Sequence, residues 1–322
     1  ILSGLVGSEM CIRDSYTTFG IHNKVERYSW AAYHLFVFLS SLIGDTLILY
    51  ASFQRDVFKL NKFIVTVIQH IAASDLLFAI FGVLPGTISL LANKWVLGKV
   101  MCYVRVYVGY LCYPQGLWLI AILTTSKFLL LQFPIRCGNL TKRMAHILCA
   151  LTLIPSSITP IAFLIVKKDD IWFDYKYYTC EYRFEEPIWT SWLGVVLSII
   201  RLFVPIIVIV TATIPTLKYL ADARRSARRV QGNVPWRGTL TVSFTAVVCC
   251  LSALPTIVKR LDAKKFENST AFLRTAKFAL IMNIMSNFYI YTLTIKSFRG
   301  FLLSKITSVL TANKNTTSTG KR

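Results

Sequence analysis

Seven apolar segments, each long enough for an α-helix to cross roughly 30 Å of hydrocarbon, take up most of this 322-residue chain. They run Ala31 to Phe53, Phe63 to Leu91, Tyr103 to Leu131, Met144 to Val166, Trp192 to Leu217, Gly238 to Val258 and Thr275 to Ile295. In hydrocarbon every backbone N–H and C=O must be paired inside its own segment, so stretches of this length are helices and not strands. The expected fold is all-α, a seven-transmembrane helix bundle in one domain over residues 31–295. Residues 1–30 would form a terminus outside the membrane and residues 296–322 a tail. The composition agrees, with 55% hydrophobic residues, too apolar for a soluble domain that must clothe itself in charge.

A net charge of +21 would suggest nucleic acid in a soluble protein. In a membrane protein it is ordinary, because basic loops meet anionic headgroups, and no nucleic-acid partner is expected. With the amino end outside, the cytoplasmic loops and tail hold 18 Lys plus Arg and the outer side 14, a thin positive-inside bias. The glycosylation sequon at Asn268 then lies outside, a weak signal alone. Residues Ile1 to Ser15 have no signal-peptide pattern and read as a cloning or translation scar, or else as a natural outer terminus. Of eight cysteines, Cys112, Cys149, Cys249 and Cys250 fall inside spans, where a thiol packs as a small hydrophobe. Cys102, at the outer end of the third span, and Cys180, in the loop before the fifth, share an oxidising side in this orientation and are expected to bridge. Two free thiols are the alternative.

Several residues fall in one order: Asp75 in span two, Trp95-Val-Leu-Gly98 before Cys102, Pro205 in span five, Pro255 in span six, and Asn287-Phe288-Tyr289-Ile290-Tyr291 closing span seven. Together they resemble the rhodopsin-like G-protein-coupled receptors. The resemblance implies a plasma-membrane protein with its amino end outside, an extracellular ligand, a heterotrimeric G protein as cytoplasmic partner, and surrounding membrane lipids. Cys102 and Lys127 stand 25 residues apart, roughly 37 Å along a helix, so they belong to opposite membrane faces as that family requires.

Departures concentrate where the family switches. Ser126-Lys127-Phe128 stands in place of Asp-Arg-Tyr, with Pro134 at the expected spacing. Lys127 keeps a charge but lacks the planar fork of arginine, and Ser126 supplies no acid, so the resemblance implies a weaker inactive-state restraint. Ser252-Ala253-Leu254-Pro255 keeps the span-six proline without the tryptophan toggle, and Thr213 replaces the span-five tyrosine. Phe288 replaces the proline of Asn-Pro-x-x-Tyr, which should straighten span seven.

Ionisable side chains inside spans are expensive and functional by default. By resemblance Asp75, Asn283 and Asn287 mark a sodium site, although Gly116 stands where a serine ligand is expected. Asp45 takes the place of an asparagine in span one. Two carboxylates brought together in a dry interior do not both ionise cheaply, so the pair is expected to share a proton or a cation, or to pair with neighbouring polar groups. Toward the outer side Arg105, Arg201 and Lys277 border the family's ligand cavity, with Tyr110 and Tyr113 as aromatic surface and Gly109 leaving room. Such a lining suits a carboxylate, a phosphate or an acidic peptide; snorkelling of Arg105 and Lys277 to headgroups is the alternative. Gly109 lacks the aspartate of amine receptors, and Ile281 lacks the lysine that holds retinal, so no retinal is expected.

Arg224, Arg225, Arg228 and Arg229 extend span five with a basic face for a G protein, lipid or plain solvent. Lys296 to Ile306 reads as a short amphipathic membrane-surface helix, followed by a polar tail, Thr311 to Arg322, expected to be disordered. The sequence has no metal-spaced cluster, nucleophile with its base, or phosphate loop, and the four histidines are scattered, so an enzyme is not expected. A seven-helix transporter would favour paired Pro or Gly breaks in two halves. The prolines show no such pairing.

Overall fold

The structure is a computed structural model and describes residues 24–54, 57–137, 139–166, 171–174, 178–182, 196–197, 199–227, 236–261 and 270–319. Its helices are Lys24–Phe53, Lys62–Phe78 continued by Leu84–Ala92, Gly98–Gln132, Lys142–Leu151 continued by Leu153–Val166, Val204–Ala227, Trp236–Leu261 and Thr270–Thr294. Six apolar spans qualify singly as membrane-crossing, and the seventh does so together with its bent continuation. The seven-span bundle read from the sequence is the fold.

Each span begins or bends for a local reason. Asn61 caps the second by accepting a hydrogen bond from the Phe63 N–H at 2.8 Å, and Thr141 caps the fourth through the Met144 N–H at 3.3 Å. The second span leaves the α-helical ladder over Ala79–Val83, and the fifth does so over Ile199–Phe203, both as wider π turns. A proline follows each two residues later, Pro85 and Pro205. A missing proline N–H leaves a carbonyl one turn back without its partner, and the wider turn absorbs the mismatch. The second span ends at Asn93, whose φ of 59° is the left-handed cap that asparagine tolerates.

The spans close on buried apolar clusters. Near the end opposite the disulfide, Ile48, Phe63, Ile64, Leu117, Ile120 and Tyr291 lie in the largest one. Near the disulfide end Leu90, Trp95, Val106, Phe173 and Tyr178 surround Cys102 and Cys180. The outward faces stay apolar: Phe36, Leu39 and Ile43 on the first span and Ile147, Ile154 and Ile158 on the fourth are exposed, as hydrocarbon and not water demands. A buried polar link ties the third span to the fourth, with Gln115 donating to Thr152 Oγ1 at 2.9 Å and accepting from Ser156 Oγ at 3.0 Å. Such links supply specificity where the hydrophobic effect between helices is weak.

Gly44 marks the closest approach of spans one and seven. A Cβ there would lie 2.6 Å from both Cβ and Cγ of Phe288, so only glycine fits. The span-seven helix runs unbroken from Thr270 to Thr294, in keeping with a proline-free Phe288. After it the chain turns by 97° into the helix that starts at Lys296. Phe298 is buried and stacks on Phe58 of the first loop, 5.3 Å between ring centres. This helix continues to Thr319, so residues 311–319, expected to be disordered, are helical. Between Phe301 and Thr319 there is neither Gly nor Pro to stop it, and Gly320 follows its end.

Candidate functional site

The outer end of the bundle is built around the Cys102–Cys180 disulfide, whose Cα atoms lie 5.5 Å apart. The bridge fixes a two-stranded antiparallel hairpin, β1 (Ile171–Asp174) and β2 (Thr179–Tyr182), over the third span, with Phe173 opposite Cys180. Trp95 supports this corner by donating its indole N–H to the Gly98 carbonyl at 2.8 Å. Because Glu181 follows Cys180 and Arg105 lies one turn beyond Cys102, the bridge brings acid and base together. Arg105 donates to the Cys180 carbonyl at 3.1 Å and meets Glu181 Oε1 at 3.4 Å. Lys277 of the seventh span donates to the same oxygen at 2.6 Å.

One carboxylate thus bridges two of the three cations singled out from the sequence. All three side chains are largely withdrawn from the surface, at 11% exposed for Arg105, 20% for Glu181 and 28% for Lys277. Neither cation merely reaches for headgroups. Gly109 lies beside this pair, where a Cβ would stand 3.6 Å from Arg105 Nη1, an ordinary contact distance, so the arrangement does not itself require glycine there. Arg201 sits in the π turn of span five, donates to the Tyr110 carbonyl and lies over the Tyr110 ring at 5.7 Å from its centre. Tyr113 packs against the largest apolar cluster, deeper in the bundle. A second outer ion pair joins Arg274 to Glu26 and ties the start of span seven to the start of span one. Glu181 was not a candidate from the sequence, where it is one acid in a loop. Its position beside Cys180 was the available signal.

The middle of the bundle gathers the buried carboxylates. Asp75 accepts from Asn287 Nδ2 at 2.7 Å, linking spans two and seven. Asp45 is buried, accepts from the Ser41 hydroxyl and lies within electrostatic reach of Asp75. Asp45 Oδ1 and Asn287 Oδ1 are buried acceptors without a partner among the described residues. Tyr291 is buried and lies within electrostatic reach of both carboxylates. Asn283 is half-buried and makes no side-chain hydrogen bond among the described residues, and at Gly116 a Cβ would meet nothing within 4 Å. For a sodium ion the Asp75 carboxylate and the unpartnered Asn287 oxygen fit as ligands, while Gly116 contributes none.

At the opposite end Ser126 donates to the Leu123 carbonyl at 3.0 Å and does not engage Lys127. Lys127 is buried, with no ion pair among the described residues. Its Nζ lies 3.8 Å from where a Gly238 Cβ would stand, so the lysine reaches the start of span six. Phe128 is half-buried, and Pro255 lies inside the span-six helix. Of the basic face, Arg225 is exposed and pairs with Asp222 at 4.0 Å; the side chains of Arg224, Arg228 and Arg229 lie outside the described residues, as does Asn268.

The chain matches the family model described as 7 transmembrane receptor (rhodopsin family) over residues 44–291. It belongs to that family. The match begins at Gly44, the glycine wedged against Phe288, and ends at Tyr291, so it runs from the last third of the first helix to near the end of the seventh. This rhodopsin-family receptor is therefore a multi-pass membrane protein of a receptor family and not of an enzyme family.

Proposed function

We propose that this receptor stands in the plasma membrane with its amino end outside, binds a carboxylate-bearing extracellular ligand at the outer end of the bundle, and signals to a heterotrimeric G protein. The observation that carries the ligand class is Glu181. Arg105 and Lys277, from two different spans, already converge on one carboxylate oxygen, so their separation suits a carboxylate. An incoming acid would compete with Glu181 for these cations, with Arg201 and the Tyr110 ring as its further wall. Displacing Glu181 would loosen the hairpin from span seven and bias the bundle between two states, as a ligand does when it binds one conformation better.

In this reading the Asp45, Asp75 and Asn287 centre holds a shared proton or a sodium ion between the two ends. A second reading, a receptor-shaped protein without G-protein coupling, is favoured by Lys127, which lacks both the fork of arginine and a neighbouring acid.

The test is a panel of small carboxylates, phosphates and acidic peptides scored by thermal stabilisation of the receptor in lipid nanodiscs. Carboxylates are expected to stabilise the wild type, and Lys277→Gln and Arg105→Gln to abolish the effect. Stabilisation by none of the acids, or equal stabilisation of both variants, would contradict the ligand assignment.

A further inference from the structure

Two of the four histidines, far apart in sequence, meet on the outside of the bundle. His70 of span two and His146 of span four face each other with Nε2 and Nδ1 3.0 Å apart, ring centres 5.2 Å apart and planes at 71°. Nothing in the ligand or switch machinery uses them. His146 is exposed, four residues after Lys142 and roughly 6 Å into its helix, and His70 is half-buried, so the pair opens to the outside of the bundle near its Lys142 end.

We propose that His70 and His146 form a binding site for a borderline divalent transition-metal ion such as Zn2+, Ni2+ or Cu2+. Metal–imidazole bonds are about 2.0–2.1 Å, so two of them at angles of roughly 90–110° place their nitrogens about 2.9–3.4 Å apart. The observed 3.0 Å falls in that interval. As a hydrogen-bonded pair one ring carries a proton between the two nitrogens. On metal binding that proton moves to the far nitrogen of its own ring, so His70 is protonated at Nδ1 and His146 at Nε2. Each ring then presents a lone pair, and no proton is lost from the neutral pair.

Among the described residues no third His, Cys, Asp or Glu joins the two, so water or a lipid phosphate oxygen completes the coordination. Lys142, one turn below His146, opposes a cation, but it is exposed and its charge is screened by water. The ion would clamp span two to span four on the side of the bundle away from Lys277.

The experiment uses the full chain without a polyhistidine tag, in nanodiscs, titrated with ZnCl2 and reversed with EDTA. The thermal midpoint is expected to rise saturably in the wild type and not in His70→Asn or His146→Asn. No rise, or the same rise in wild type and both variants, overturns the site. The Cu2+ electron paramagnetic resonance spectrum of the wild type needs no variant, so it decides the matter even if both variants misfold. Coordination by two imidazole nitrogens is expected, and a spectrum showing one or none overturns the proposal.

Discussion

Changing Glu181 to Gln keeps the side chain's shape and removes its charge, which isolates what the bridging carboxylate does. Two contacts weaken together: a 2.6 Å charged hydrogen bond from Lys277 and a longer 3.4 Å pairing with Arg105. A charged hydrogen bond contributes about 1.5–3 kcal/mol when withdrawn from water, and a longer, partly wet pair up to about 1 kcal/mol. Lys277 remains 28% exposed, which pulls the first contribution toward its lower end. Arg105 keeps its bond to the Cys180 carbonyl, so the hairpin stays seated by the disulfide and that bond. The expected cost of Glu181→Gln is therefore roughly 1–3 kcal/mol. Thermal unfolding of Glu181→Gln, Lys277→Met and the double variant in nanodiscs forms a double-mutant cycle. Partners in contact are expected to show a coupling above about 0.5 kcal/mol. If the two single losses simply add, the bridge is not an energetic contact and the reasoning fails. Functionally, Glu181→Gln removes the acid that competes for both cations, so a carboxylate ligand should bind it more tightly than the wild type.

Gly44→Ala gains about 1 kcal/mol of helix propensity but drives a Cβ into Phe288 atoms fixed to the backbone, an overpacking cost of about 1–3 kcal/mol. Lower thermal stability is expected, relieved by Phe288→Gly and only in part by Phe288→Ala, whose Cβ stays 2.6 Å from the new one; a Gly44→Ala variant as stable as the wild type would remove the contact. Ser126→Asp sets an acid beside the buried Lys127 and is expected to lower basal nucleotide exchange, whereas unchanged exchange would mean that Lys127 does not gate the switch. Unpartnered oxygens on Asp45 and Asn287 suggest a shared proton or sodium ion, so ligand affinity should respond to sodium or to pH, and Asp75→Asn should blunt that response. Flat behaviour toward both in the wild type would end that reading.

The spans were legible because length and apolarity alone decide membrane crossing, and the Cys102–Cys180 bridge was legible from the compartment its cysteines share. The π turn at Ala79–Val83 was not, although Pro85 hints at it, because a single proline admits a kink, a break or a wider turn. Helix beyond Ile306 escaped because polarity was taken as disorder, although no Gly or Pro interrupts the chain from Phe301 to Thr319. Asp75 with Asn287 was readable from family spacing, whereas Glu181 was not, since its partners lie 76 and 96 residues away and meet it only after the disulfide closes. His70 and His146, 76 residues apart, looked scattered for the same reason.

The central claim is that this rhodopsin-family frame, with its altered Ser126-Lys127-Phe128 end, still drives a G protein. Guanine-nucleotide exchange on a panel of purified heterotrimers, with the receptor in nanodiscs and no ligand added, tests it most directly. Exchange above that of empty nanodiscs on at least one heterotrimer, reduced in Lys127→Ala, is the predicted result. Exchange no faster than empty nanodiscs on every member of the panel would contradict the account.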